Sequence, residues 1–239
     1  MQILKKIFIT RRVSVIKHWV RMRSLKRGKR REYREYLNTQ FWRSLSKKGW
    51  DTSARVILLA EALLGTVDVN HQYTSALCIG CRNTVEIDVL RRKGITNVVG
   101  IDIYSKHSDI IVMDMHDMSF SDNSFDIVFS CHSFEHAYNP ERVAQEMMRV
   151  LRSHGVIAIE VPVHYKTTSA DLIDVRTPER LLEFFAPYVE KIFFCEEQPP
   201  TTHRNALGIA IIRIVFSVNK AMFMDTGRER SISSPTSRL

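Results

Sequence analysis

Six residues of the 239-residue chain combine chemical use with telling spacing: Gly80, Asp102, Asp114, His132, Glu135 and His136. Asp102 stands 22 residues after Gly80. An acid that far beyond a turn glycine can accept both hydroxyls of a ribose. Asp114 can accept from the exocyclic amine of an adenine. Either acid alone would serve equally to cap a neighbouring helix, but the pair points to an adenosine. Imidazole is the side chain suited to general-base work near neutral pH, which makes His132 and His136 candidates for it. The bland use of His136 and Glu135 is to orient a loop through hydrogen bonds. His164 and Tyr165, further along, are placed to reach the same acceptor.

These residues need a scaffold that brings them to one edge, and the hydropathy pattern supplies one. Short apolar runs at 76–79, 97–102, 110–114, 125–131 and 156–161 read as strands, and amphipathic stretches at 84–93 and 140–151 read as helices between them. A further helix is expected at 52–64 before the first strand and another at 177–185 after the last. Asn139 followed by Pro140 suits an N-cap and a first helical position, where a missing N–H costs nothing. Near-continuous apolar strands alternating with helices predict an α/β fold, a doubly wound and mostly parallel sheet covered on both faces. Strands at 188–196 and 207–218, joined through Pro199 and Pro200, predict an antiparallel hairpin at the sheet edge. In such a sheet ligands bind beyond the C-terminal strand ends, which is where the acids and histidines above would lie. Residues 163–176 hold few core-type side chains and are the candidate lid.

With these elements in place, a resemblance is legible. The segments ALCIGCRNTVEIDVL, VVGIDIYS and IIVMDMHDMSFSDNSFDIVFSCHSFEHAYNPERVAQEMMRVLRSHGVIAIEVP resemble, in order and spacing, the class I S-adenosylmethionine-dependent methyltransferases, especially the branch acting on small molecules. The resemblance covers about residues 75–162 and implies a Rossmann-like sheet and S-adenosylmethionine as cofactor. It implies that Gly80 lines the methionine part, that Asp102 with Ile103 holds the ribose, and that Asp114, Met115 and His116 face the adenine. It makes Asp126 a fold element and leaves His132 and His136 as the catalytic candidates.

The chain departs from the family at three positions. Cys78 stands where an acid is usual, and Arg82 and Thr84 replace the second and third glycines of the turn. Without a G-x-G-x-x-G turn a pyrophosphate is not expected. Arg82 is then either a charge-assisted partner for the cofactor carboxylate or a solvated turn residue. The Pro-rich aromatic turn of amino-directed nucleic-acid methylases is missing, because residues 130–134 stand in its place. The expected acceptor is therefore a small molecule or a lipid. An RNA methyltransferase and a non-catalytic binding module of the same fold are the alternatives.

Charge is distributed unevenly. The chain carries +9 overall, but residues 1–50 hold sixteen Lys and Arg against Glu32 and Glu35, so this arm is +14 and the rest −5. Ile3, Ile7, Phe8, Val13, Ile16, Trp19 and Val20 recur at near-helical spacing, predicting a basic amphipathic helical arm followed by a charged connector at 26–34. Such an arm suits an anionic membrane surface or nucleic acid. It would equally cover an apolar edge of its own domain, and its Arg content also fits a transit peptide. The expected layout is thus an arm at 1–50, the domain at 51–222 and a disordered tail at 223–239.

No apolar run approaches the ~18–20 residues that cross a bilayer, so no transmembrane segment is expected. The four cysteines are too few for a disulfide scaffold, which points to a reducing, cytoplasmic setting or one at a membrane periphery. Cys78 and Cys81 have no second pair to complete a zinc site, and no metal is expected.

Overall fold

Residues 76–79 become β1 (Ser75–Ile79), buried along its whole length. A strand buried on both faces needs cover on both, and the sequence on either side provides it. The computed structural model describes residues 22–46, 53–66, 74–200 and 208–221. In chain order the elements are α1 (Arg31–Ser46), α2 (Ser53–Leu64), β1, α3 (Val85–Arg92), β2 (Asn97–Asp102), β3 (Ile110–Val112) and β4 (Phe125–Cys131). A 3-10 turn (Phe134–His136) follows, then α4 (Pro140–Val150), β5 (Leu151–Val163), α5 (Pro178–Glu183), β6 (Val189–Gln198) and β7 (Ala210–Val218).

The seven strands form one sheet in the order β3-β2-β1-β4-β5-β7-β6. Strands β1 to β5 pair in parallel, while β7 runs antiparallel to both β5 and β6. The hairpin is therefore present, with β7 inside the sheet and β6 at its edge. One core layer joins Leu77, Val128 and Ile157 to Met147 of α4 and Phe185. The other joins Cys78, Ile127 and Phe129 to Leu59 and Leu63 of α2 and Leu90 of α3. Asn139 caps α4 by accepting from the Arg142 amide at 2.7 Å. Cys78, Cys81 and Cys131 are free, buried thiols. Burial pushes all three far up the pH scale, as befits packing groups.

Asp126 belongs to the other end of the sheet. It accepts from the Thr74 and Ser75 amides at 3.0 and 2.9 Å and from the Ser75 hydroxyl at 2.7 Å, tying β4 to the start of β1.

Two expectations need correction. The charged connector at 26–34 is a turn only as far as residue 30, because α1 begins at Arg31. Tyr33, Tyr36, Leu37, Gln40 and Phe41 fall at i, i+3, i+4, i+7 and i+8, an apolar stripe that the dense charges around it obscure. β3 also ends at Val112 and leaves Asp114 in the turn beyond it. The amphipathic stretch at 3–20 and the tail at 223–239 lie outside the described residues. Among the described residues no helix is long and apolar enough to cross a membrane.

Candidate active site

Beyond the C-terminal ends of the parallel strands lies a cavity of about 400 Å³ whose lining includes Gly80, Arg82, Asp102, Asp114, His132 and His136. Ile103 and Met115 also line it. Eight of the nine sequence-derived cofactor and catalytic candidates line this cavity. The ninth, His116, is not among the lining residues.

Gly80 adopts φ +78°, and a Cβ on it would lie 2.3 Å from the Ser133 Cβ. It is glycine because Ser133 must come close: the Ser133 hydroxyl donates to the Ile79 carbonyl at 2.9 Å and meets the Ser130 hydroxyl at 2.7 Å. The end of β1 is thereby fastened to the turn that carries Glu135 and His136. His116 is spent on structure, which corrects its expected place beside an adenine. Its Nδ1 pairs with Asp114 Oδ1 at 2.8 Å, and its Nε2 accepts from the Tyr138 and Asn139 amides at 3.1 and 3.3 Å.

Asp102 is buried at the end of β2 and accepts from the Tyr104 amide at 2.8 Å. Burial pushes its carboxyl up to about 6, with that amide and the Arg82 charge holding it back. Asp114 accepts twice through Oδ1, from the His116 amide and ring, and once through Oδ2, from the Tyr33 hydroxyl at 2.7 Å. Burial opposes ionisation, but those bonds outweigh it and hold the carboxyl below its ordinary value. A carboxylate has about four acceptor positions, so one remains. Arg55 contributes a buried Nε without a partner among the described residues, and Glu86 nearby has an equally unpartnered Oε2.

Histidine geometry sets the other end of the cavity. His132 Nε2 lies 2.9 Å from Glu160 Oε1 and donates to it, while Nδ1 stands 4.0 Å from Glu135 Oε1. Glu160 is fully buried and accepts from Arg213 Nε at 2.6 Å, while Arg213 Nη1 donates to Glu196 at 2.9 Å. This row runs straight across β5, β7 and β6, where Glu160 and Glu196 are both register partners of Arg213. The sequence reading missed it. The signal was a lone charge inside each of two apolar runs, VIAIEVP and AIIRIVF.

His136 Nδ1 lies 3.1 Å from both Asp171 Oδ1 and the Ala170 carbonyl. Burial opposes ionisation of Asp171, yet His136 and the Arg43 guanidinium hold its carboxyl well below the usual range. The backbone of the candidate lid is docked, since the Leu172 and Ile173 amides both donate to the Glu135 carbonyl. Tyr165 lines the cavity, whereas His164 is exposed and turns to Glu197.

Helix α1 closes the remaining side. Besides Tyr33 on Asp114, Gln40 Nε2 donates to the Ala170 carbonyl at 2.8 Å and Arg43 pairs with Asp171. Tyr33 and Tyr36 meet the His116 ring edge-on at 5.5 and 5.6 Å. Residues 31–46 of the basic arm thus cover the domain's own ligand edge, one of the uses its composition allowed.

This geometry agrees with the comparisons to known proteins. The methyltransferase domain family matches residues 77–159, the stretch from β1 to β5. Over residues 77–159 the chain is thus similar to a methyltransferase domain. The chain is 31% identical over 85 residues to the glycine/sarcosine/dimethylglycine N-methyltransferase of Actinopolyspora halophila, covering 36% of this chain and 14% of that protein. It is 30% identical over 103 residues to the ajmaline N-methyltransferase of Rauvolfia serpentina, covering 43% of this chain and 35% of that protein. The chain therefore spans well under two thirds of either relative. Among solved structures, the 1,6-didemethyltoxoflavin-N1-methyltransferase of Burkholderia thailandensis shares the fold at TM-score 0.58 and 13% identity, over 79% of this chain and 90% of that one.

Proposed function

We propose that the chain transfers a methyl group from S-adenosylmethionine to a small-molecule acceptor, with His132 as the general base. One observation carries this reading. A single cavity joins a buried strand-end acid, Asp102, to an imidazole, His132, whose Nε2 donates to a buried carboxylate behind it.

The residues present fit the cofactor. Asp102 accepts from the ribose hydroxyls, and Asp114 has one position left for the adenine amine. Arg82, with the unpartnered Arg55 Nε beside it in the cavity wall, meets the carboxylate of the methionine part. Ile103, Met113 and Met115 supply apolar lining for the adenine ring. Gly80 contributes through Ser133, whose bonds to β1 fix the distance between the two ends. When bound, the cofactor would supply a methyl group on a sulfonium for transfer to the acceptor, with the thioether S-adenosylhomocysteine as the leaving group.

The protein's own part is to hold the reactants together, to exclude water beneath α1 and to take a proton at His132 Nδ1. Glu160 keeps the tautomer and stabilises the imidazolium that forms, as Arg213 does for Glu160. The reading of a small-molecule acceptor is supported by the relatives and the structural neighbour, whose names give glycine, sarcosine, dimethylglycine, ajmaline and 1,6-didemethyltoxoflavin as acceptors.

The test is methyl transfer from labelled S-adenosylmethionine to a panel of small amines, acids and phenols. Turnover on one of them should fall by about 10²–10⁴ in His132→Ala while cofactor affinity stays within twofold. Equal turnover in that variant would remove His132 from its role.

A further inference from the structure

The acceptor end of the cavity holds a carboxyl group that the described residues leave unsatisfied. Glu135 lines the cavity and is 3% exposed, and its Oε2 has no hydrogen-bond partner among the described residues. Its Oε1 lies 3.7 Å from His136 Nε2 and 4.0 Å from His132 Nδ1, beyond hydrogen-bond length whichever protons the rings carry. The arginines at this end are committed elsewhere, Arg43 to Asp171 and Arg213 to Glu160 and Glu196. The backbone that carries the group is fixed. Phe134 beside it is buried in the core, and the Glu135 carbonyl accepts from the Leu172 and Ile173 amides. A buried carboxyl held there costs stability until a donor reaches it.

Resting on the methyltransferase reading, we infer that Glu135 selects an amine as the methyl acceptor, receiving an N–H of the nitrogen that is methylated. Charge conservation decides between nitrogen and oxygen. Methyl transfer from a sulfonium to a neutral amine moves the positive charge onto nitrogen, so an anion beside that atom stabilises the transition state and the product. Transfer to a phenolate or a carboxylate ends without charge and leaves the Glu135 carboxyl unpaired. The acceptor enters as an ammonium, gives one proton to His132 and keeps an N–H on Glu135. The nitrogen lone pair then forms the N–C bond as the C–S bond breaks, and the electron pair of that bond stays on sulfur. An amine meets Glu135 in either state, because the same ion pair results whether the proton starts on the carboxyl or on nitrogen. The wall around it favours a cation. Burial, and then the Glu135, Asp171 and Asp174 charges, push the Tyr165 phenol up, with Arg43 opposing.

The experiment is calorimetry on the full chain, with and without S-adenosylhomocysteine, using two matched pairs of probes: benzylamine against benzyl alcohol, and isobutylamine against isobutanol. Each amine should bind about tenfold or more tightly than its alcohol, and the preference should disappear in Glu135→Gln. No preference in the wild-type chain, or the same preference in folded Glu135→Gln, overturns the inference. Should that variant not fold, the wild-type chain decides: a preference of about tenfold supports the amine site and a smaller one overturns it. S-adenosylhomocysteine affinity is read separately and should stay within about twofold in Glu135→Gln. A larger fall would give Glu135 to the ammonium of the cofactor's methionine part and overturn its role at the acceptor. S-adenosylhomocysteine binding without a preference for amines overturns this inference alone. A preference for amines without S-adenosylhomocysteine binding leaves Glu135 an amine site and overturns the methyltransferase reading.

Discussion

Burial has made two carboxyls near the cavity harder to ionise than they are in the unfolded chain, Asp102 at about 6 and Glu86 at about 7. A carboxyl whose folded value is raised binds its proton more tightly in the folded state. Its contribution to stability is complete below the unfolded value near 4 and is lost as pH rises through the folded value. Between pH 5 and 8 the ligand-free protein should therefore lose stability. The depressed groups Asp114, Asp126 and Asp171 lose theirs only when pH falls below the ordinary carboxylate range, outside that window. Glu86→Gln should flatten the slope, raising stability at pH 8 by roughly 1–3 kcal/mol and leaving pH 5 nearly unchanged. Thermal unfolding at the two pH values checks this, and an unaltered slope would show that Glu86 does not titrate there. Asp102 and Asp114 were legible in the sequence because an acid at or just past the end of an apolar run needs only local pattern to be found. The ring of His116 was misplaced for the opposite reason: its partners Tyr138 and Asn139 come from beyond β4 and cannot be seen by spacing.

At the scale of elements, the row from His132 to Glu196 depends on strands that meet only after folding. Alternation of apolar runs and helices predicts the parallel half of the sheet, and the hairpin was legible from Pro199 and Pro200. The insertion of β7 between β5 and β6 was not, because register across an antiparallel pair 53 residues apart leaves no local trace. Yet that insertion puts Arg213 between two glutamates. Arg213→Met would leave Glu160 buried without its cation, and should destabilise the protein by about 3–5 kcal/mol. Denaturant unfolding should show a loss of this size. A change below 1 kcal/mol would mean that water or His132 compensates for the missing charge. Helix α1 teaches a related lesson. Dense charge at 26–34 suggested a connector, while the stripe at helical spacing that begins at Tyr33 was the better guide.

For the whole molecule, charge and cavity lie side by side. The basic arm continues into the helix that closes the ligand edge, and Lys29 already pairs with Asp117 beside Asp114 at 3.0 Å. An arm of +14 on a domain of −5 should attach the protein to anionic surfaces in a manner weakened by salt. Co-sedimentation of the full chain with anionic and neutral vesicles at two salt concentrations reads this out. Binding to RNA but not to vesicles would favour the nucleic-acid alternative, and binding to neither would leave the arm the role of covering its own domain. The account as a whole rests on one ligand in one cavity. Calorimetry with S-adenosylhomocysteine tests that most directly, on the full chain and on Asp102→Ala. The account predicts one site per chain, an affinity that falls as pH drops below about 6, and a loss of roughly 1.5–3 kcal/mol in the variant as the ribose bonds go. Absence of binding to the folded wild-type chain, or equal binding by a folded Asp102→Ala, would contradict it.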